Sequence, residues 1–162
     1  MATPGRYPPL MADPAPTPTV LLPEAEVQRI VADMAARIAP VIDDETVAVV
    51  LLTGGLWFAA DLTRALARVG RNVRFDALWL ASYGDEQSSR GRIDVYAPLQ
   101  RSVEGRRVLI LDDVFDTGLS LAEAVKIAKA AGASEVVTAV FAKKPWPLPR
   151  APEPDFVGWD AP

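Results

Sequence analysis

A chain of 162 residues, half of them hydrophobic and 23% charged, has the size and composition of one soluble α/β domain with a substantial core. Its net charge of −4 argues against a protein that relies on attraction to a nucleic-acid backbone. There is no cysteine and no histidine, which excludes disulfides, thiol nucleophiles, Cys- or His-ligated metals and Ser–His–Asp catalysis. Proton transfer and metal contact therefore fall to carboxylates, lysine, tyrosine or the oxygens of a ligand.

Seven of the fifteen prolines lie between Pro4 and Pro23, so residues 1–23 read as a disordered or extended tail. No apolar run approaches the roughly 20 residues needed to span a bilayer. The first residues also lack the apolar core of a signal peptide. A cytoplasmic protein with no membrane partner is expected. From Glu24 to Ala39, Val27, Ile30, Val31, Met34 and Ile38 fall on one stripe of a helix, which Pro40 ends.

Val47 to Leu52 reads as a buried strand. It runs into Thr53-Gly54-Gly55 and then a helix from Leu56 to Val69. A strand that ends in a small-residue turn before a helix is a place where backbone N–H groups can meet an anion. Val73 to Leu80 gives a second strand. Ser82 and Tyr83 then lead into the polar stretch Asp85 to Arg92, a mobile loop by composition, and Ile93 to Ala97 reads as a returning strand.

Residues 108 to 121 carry the densest chemistry. Val108 to Leu111 has the apolar, β-branched character of a strand buried on both faces, and it breaks into the adjacent carboxylates Asp112 and Asp113. Asp116, Thr117, Gly118, Leu119 and Ser120 follow, and a helical pattern runs from Leu121 to a closing glycine at Gly132. Capping a helix needs one such polar residue, whereas this turn has three acids and two hydroxyls. Free N–H groups at the helix start, with the Thr117 and Ser120 hydroxyls, suit a phosphate. Paired ionised acids suit the two hydroxyls of a ribose, or a metal. Val136 to Phe141 is a further buried strand, ending at Lys143 and Lys144. Residues 145–162 are again proline-rich.

The 108–121 stretch resembles the signature of the phosphoribosyltransferases, enzymes that use phosphoribosyl pyrophosphate (PRPP). Their pattern is an apolar strand, two acids, two apolar residues, then Asp-Thr-Gly-x-Ser/Thr. The resemblance covers residues 24 to 160 and is nearest to the type I, 6-oxopurine branch. It implies an α/β fold, a parallel β-sheet flanked by helices in a Rossmann-like manner, with a flexible loop over the site that Ser82 and Tyr83 would begin. The core domain would be 24–144, and 145–162 would be the remnant of a base-binding hood. The implied reaction transfers ribose 5-phosphate from PRPP to hypoxanthine, guanine or xanthine, giving the purine nucleoside monophosphate and pyrophosphate.

The resemblance also implies roles. Asp112 and Asp113 would bind the ribose hydroxyls directly or through Mg2+. Residues 116 to 120 would cradle the 5-phosphate, and Asp116 would act as general base. Thr53 and Gly54 would form the pyrophosphate loop, with Thr53 standing where the family has a basic residue. Lys143 matches the lysine that meets the purine's 6-oxo group, while Lys144 reads as surface. The segment that clamps the base in the family is missing from these residues. Phe156 or Trp159 would stack on the base in its place, and Asp160 would supply its acid. A homodimer or homotetramer is the family habit. The alternative is a catalytically weak protein of the same fold that binds PRPP or a nucleotide for regulation.

Overall fold

The computed structural model describes residues 19–83, 92–145 and 153–162. The proline-rich stretch 1–18, the polar loop 84–91 and residues 146–152 lie outside the described residues. Helix α1, Glu24–Ile38, buries Ile30, Val31, Met34, Ala35 and Ile38. Its first-turn acids Glu24 and Glu26 and last-turn Arg37 complement the helix dipole. A short 3-10 turn containing Pro40 ends it. Strand β1, Val47–Leu52, leads into α2, Leu56–Arg68. Then come β2, Arg74–Tyr83, β3, Arg92–Ala97, and β4, Arg107–Phe115. Helix α3, Leu119–Ala130, and strands β5, Glu135–Lys143, and β6, Phe156–Asp160, complete the chain.

The six strands form one sheet in the order β3-β2-β1-β4-β5-β6. All neighbours are parallel except β2 and β3, which run antiparallel, so the expected parallel sheet carries one reversed edge strand. Strands β1 and β4 lie at the centre and are buried on both faces, which is why they read as unbroken apolar runs. On one face α1 and α2 pack against Ala48, Val50, Leu109, Leu111 and Ala139. On the other, Leu121, Ala124 and Ala128 of α3 pack against Val47, Val49, Ile110 and Val140. Among the described residues no helix is long and apolar enough to cross a membrane.

The chain steps from β1 outward to β2 and β3, then returns across the sheet to β4 and steps the other way to β5 and β6. The connections leaving β1 and β4 therefore diverge at the carboxyl ends of these strands. That crevice is where open α/β sheets bind ligands.

Strand β6 is an addition to the elements legible in the sequence. Thr138, 4% exposed, fastens its entry. Its N–H and hydroxyl donate to Asp155 Oδ2 at 2.8 and 2.9 Å, and the Asp155 N–H donates back to Thr138 Oγ1 at 2.9 Å. Gly158 lets the strand lie against α1. A Cβ there would stand 2.7 Å from Met34 Sδ, 2.8 Å from Ile30 Cγ2 and 2.8 Å from the Phe141 carbonyl oxygen. Gly158→Ala should therefore lower stability by about 1–3 kcal/mol through overpacking. Urea denaturation checks this, and an unchanged midpoint would show that β6 and α1 separate freely.

Candidate active site

The acid motif hangs from the difference in length between two neighbouring strands. Strand β4 pairs with β1 only from Val108 to Leu111, but with β5 as far as Phe115 opposite Lys143. Asp112 and Asp113 thus continue the strand, where the sequence suggested a turn, because β5 still supports them on one side. On the other side β1 has already turned away through Thr53, Gly54 and Gly55.

The two carboxylates differ in environment. Asp112 is half-buried, and its Oδ1 accepts the Asp113 N–H at 3.0 Å. Burial raises its pKa from the ordinary carboxylate range to about 7, and the adjacent charge of Asp113 adds to the effect. Asp113 turns toward the loop after β1. A Cβ on Gly54 would stand 2.6 Å from Asp113 Oδ2, so only glycine leaves room for this carboxylate. The sequence-predicted pyrophosphate loop and the acid pair are thereby brought into contact.

Beyond Phe115 the chain turns through Asp116, Thr117 and Gly118. Gly118 has φ +81°, a left-handed conformation that favours glycine, and it lets α3 begin at Leu119, two residues earlier than the sequence pattern suggested. No side chain caps α3, and the Thr117 hydroxyl reaches the Leu119 N–H only at 3.5 Å. The first-turn N–H groups face a hollow of about 60 Å3 walled by Asp116, Thr117, Gly118 and Ser120. Larger hollows exist, including one of about 390 Å3 between α1 and α2, but none of the residues lining it belongs to the acid motif.

The two lysines after β5 part company. Lys143 Nζ pairs with Glu153 at 2.7 Å, whereas Lys144 Nζ pairs with Asp116 Oδ2 at 3.1 Å. The Lys144 N–H also donates to the Phe115 carbonyl at 3.1 Å, which ties the end of β5 to the acid loop. The resemblance gave Lys143 the contact with the purine and left Lys144 at the surface; the residue that pairs with the acid loop is Lys144. Alternation along an extended segment sends adjacent side chains to opposite faces, but it does not reveal which face holds the ligand.

Phe156 and Trp159 pack, partly buried, against the core cluster under α1 and α2, and Arg37 lies 6.0 Å over the Phe156 ring. Both rings therefore have structural work in this conformation. Asp160 is exposed at the end of β6, in register with Lys143. Ser82 and Tyr83 close β2, opposite Ile93 and Arg92, and the loop they would begin lies outside the described residues. Among the described residues, no three acidic side chains converge as a metal cage. Asp112 and Asp113 offer hard oxygens of the kind that hold Mg2+ jointly with phosphate oxygens of a substrate.

An acid pair at a sheet's switch point, beside an uncapped helix start and a glycine turn, is the arrangement of an open α/β protein with its acceptors and free N–H groups gathered in one crevice. Residues 21–157 match the phosphoribosyl transferase domain family, and the chain belongs to that family. It is 31% identical over 144 residues to the hypoxanthine-guanine phosphoribosyltransferase of Bacillus subtilis, covering 88% of this chain and 78% of that protein. It is 30% identical over 145 residues to the enzyme of the same name from Dictyostelium discoideum, covering 88% and 81%. Among solved structures, a hypoxanthine phosphoribosyltransferase from Staphylococcus aureus superposes with a TM-score of 0.79 at 25% identity, over 89% of this chain and 77% of that one. The Trypanosoma cruzi hypoxanthine phosphoribosyl transferase does so at 0.80 and 27%, over 89% and 78%.

The raised pKa of Asp112 has a sign that can be tested. The folded protein keeps this proton to a higher pH than the unfolded chain does, so folding loses stability as pH rises from about 4 to about 7. Asp112→Asn should come closest to the wild type at about pH 4 and below, and unfold at a progressively higher temperature than the wild type as pH rises to about 7 and above. Thermal melts that run parallel across that range would remove the buried acid as the cause.

Proposed function

We propose that the protein transfers ribose 5-phosphate from PRPP to a 6-oxopurine and releases pyrophosphate, a purine-salvage reaction. The observation that carries this reading is the pair Asp116 and Lys144, an acceptor and a donor 3.1 Å apart beside the acid motif. A 6-oxopurine presents N7 and O6 side by side on one edge of the ring. With N7 protonated, that edge offers one donor and one acceptor, the complement of Asp116 and Lys144.

In the reaction the bond between the purine N9 and C1′ forms as the bond from C1′ to the pyrophosphate oxygen breaks. The pyrophosphate leaves with the electron pair of that bond, and the N7 proton passes to Asp116. Lys144 donates to O6 and draws charge from the ring as the new bond forms. Asp112 and Asp113 accept from the ribose hydroxyls. The N–H groups of residues 117–120 and the Thr117 and Ser120 hydroxyls hold the 5-phosphate. Backbone at Thr53 and Gly54 meets the pyrophosphate without a side-chain cation. An ordinary Asp is a weak base, so much of the acceleration comes from positioning and charge stabilisation.

Mg2+ suits this set of oxygens, with Asp112 and Asp113 on the protein side, and when bound would neutralise charge on the leaving pyrophosphate. Hypoxanthine, guanine and xanthine share O6, so all three are candidate bases. A cytoplasmic homodimer or homotetramer belongs to the same proposal, and exposed Trp57, Trp79 and Tyr96 supply apolar surface for it. The second reading, a PRPP- or nucleotide-binding protein with little turnover, is favoured by Thr53, which cannot make a charge contact to pyrophosphate.

Incubation with PRPP, Mg2+ and each base in turn should yield the nucleoside monophosphate and pyrophosphate. PRPP binding by calorimetry without product would select the binding protein. Asp116→Asn should lower kcat by about 10²–10⁴-fold with PRPP affinity nearly intact. Lys144→Ala should raise the KM of the base by about tenfold or more, a loss of about 1.4 kcal/mol or more of binding. If Lys143→Ala does this instead, the contact with O6 returns to Lys143.

A further inference from the structure

Three arginines gather at the end of the sheet opposite the acid motif. Arg74 opens β2, Arg106 precedes β4, and Arg101 lies in the connection from β3 to β4. Together with Val47, Gln100 and Ser102 they line a cavity of about 340 Å3. Half of its lining residues are arginines and none is acidic. Glu45 is their counter-ion: Arg74 Nη2 donates to its two carboxylate oxygens at 3.0 and 2.9 Å, and Arg106 also pairs with Oε2. Nearby acids are engaged elsewhere, since Asp43 accepts from Thr46 and pairs with Arg107, which also pairs with Glu135. Arg74 and Arg106 thus share one carboxylate, and Arg101 has no ion pair among the described residues.

The cavity wall is held in place from behind. Asp76, 7% exposed, accepts the N–H groups of Gln100 and Arg101 at 2.9 and 2.8 Å. Arg101 Nε donates to the Phe75 carbonyl at 2.7 Å. The Arg101 guanidinium is thereby oriented, and its two outer nitrogens have no hydrogen-bond partner among the described residues. A guanidinium fork fixed in this way matches the oxygens of a phosphate.

We propose that this cavity is a second anion site, distinct from the acid-motif crevice, which takes the phosphate group of a small phosphorylated molecule or phosphate itself. Its volume lies in the range of small-molecule pockets, about 300–1,000 Å3. Strand β4 separates it from the 116–120 loop by roughly 26 Å, eight steps of about 3.3 Å along its nine residues. Glu45 is the resident competitor, so a ligand here takes over Arg74 and Arg106 from it. The inference does not depend on the proposed reaction.

The test is an amide NMR titration of the full chain with inorganic phosphate and, separately, ribose 5-phosphate. The amides of Ser102, Val103, Gly105 and Arg106 should shift saturably, as a set whose midpoint differs from that of residues 117–120. Arg101→Gln should abolish the shifts of the first set and leave the second, whose response also shows that the variant is folded. Glu45→Gln should tighten binding at the first set by roughly threefold or more, a gain that a merely structural ion-pair cluster would not produce. Tighter binding of ribose 5-phosphate than of phosphate identifies an organic phosphate as the ligand, and equal binding identifies phosphate. Shifts confined to residues 117–120, or an affinity that Glu45→Gln leaves unchanged or weakens, would overturn the proposal.

Discussion

The contact between the Asp113 carboxylate and the backbone of Gly54 is the constraint on which the candidate active site depends. It exists because β1 ends while β4 continues, so that a loop from one strand folds over an acid presented by the next. The sheet order makes these two strands neighbours, and the reversal of chain direction between them opens the crevice. A side chain at position 54 would stand 2.6 Å from Asp113 Oδ2 and push that carboxylate out of the crevice. The hydrophobic layers on either face serve this arrangement, since they fix the register of β1 against β4 to within one residue.

Both ends of the sheet carry charge of both signs, but in different arrangements. Asp112, Asp113 and Asp116 gather at the carboxyl ends with Lys143 and Lys144, while Arg74, Arg106 and Arg107 lie at the amino ends among their partners Asp43, Glu45 and Glu135. The acids do not repel a phosphate as strongly as their number suggests. Asp112 holds a proton into the neutral range, Asp116 is paired with Lys144, and the open first turn of α3 adds its positive end. An anionic ligand therefore meets a site less negative than the sequence implies.

Much of this was legible in the residues. Continuous apolar runs betrayed β1, β4 and β5, because a strand buried on both faces has no polar side to show. The acid–hydroxyl motif pointed to its chemistry because ribose and phosphate need those groups in that order. Strand β6 was hidden, since its flanking prolines and interior Gly158 weaken any strand pattern; its reason for being extended lies in the distant partners Thr138, Met34 and Ile30. Which of Lys143 and Lys144 pairs with the acid loop was hidden for a different reason. Adjacent side chains at a strand end point to opposite faces, and only the tertiary partners, Glu153 for one and Asp116 for the other, distinguish them.

Those partners also set an energetic asymmetry across the crevice. The pair between Asp116 and Lys144 is solvent-accessible, with side chains 47% and 53% exposed. Exposed pairs of this kind contribute only about 0–1 kcal/mol, so a purine edge entering between them gives up little. At the other end, Asp112 must lose its proton before it can accept from a hydroxyl with its full charge, while sitting half-buried beside Asp113. A cation or a polyhydroxyl ligand offsets the repulsion that this ionisation creates, and in the empty crevice the retained proton does so instead. One end of the crevice is thus neutralised by a proton until a ligand or cation takes its place, and the other by an exposed ion pair. An enzyme that must grip a charged sugar firmly and admit a neutral ring easily would divide its acids in this way.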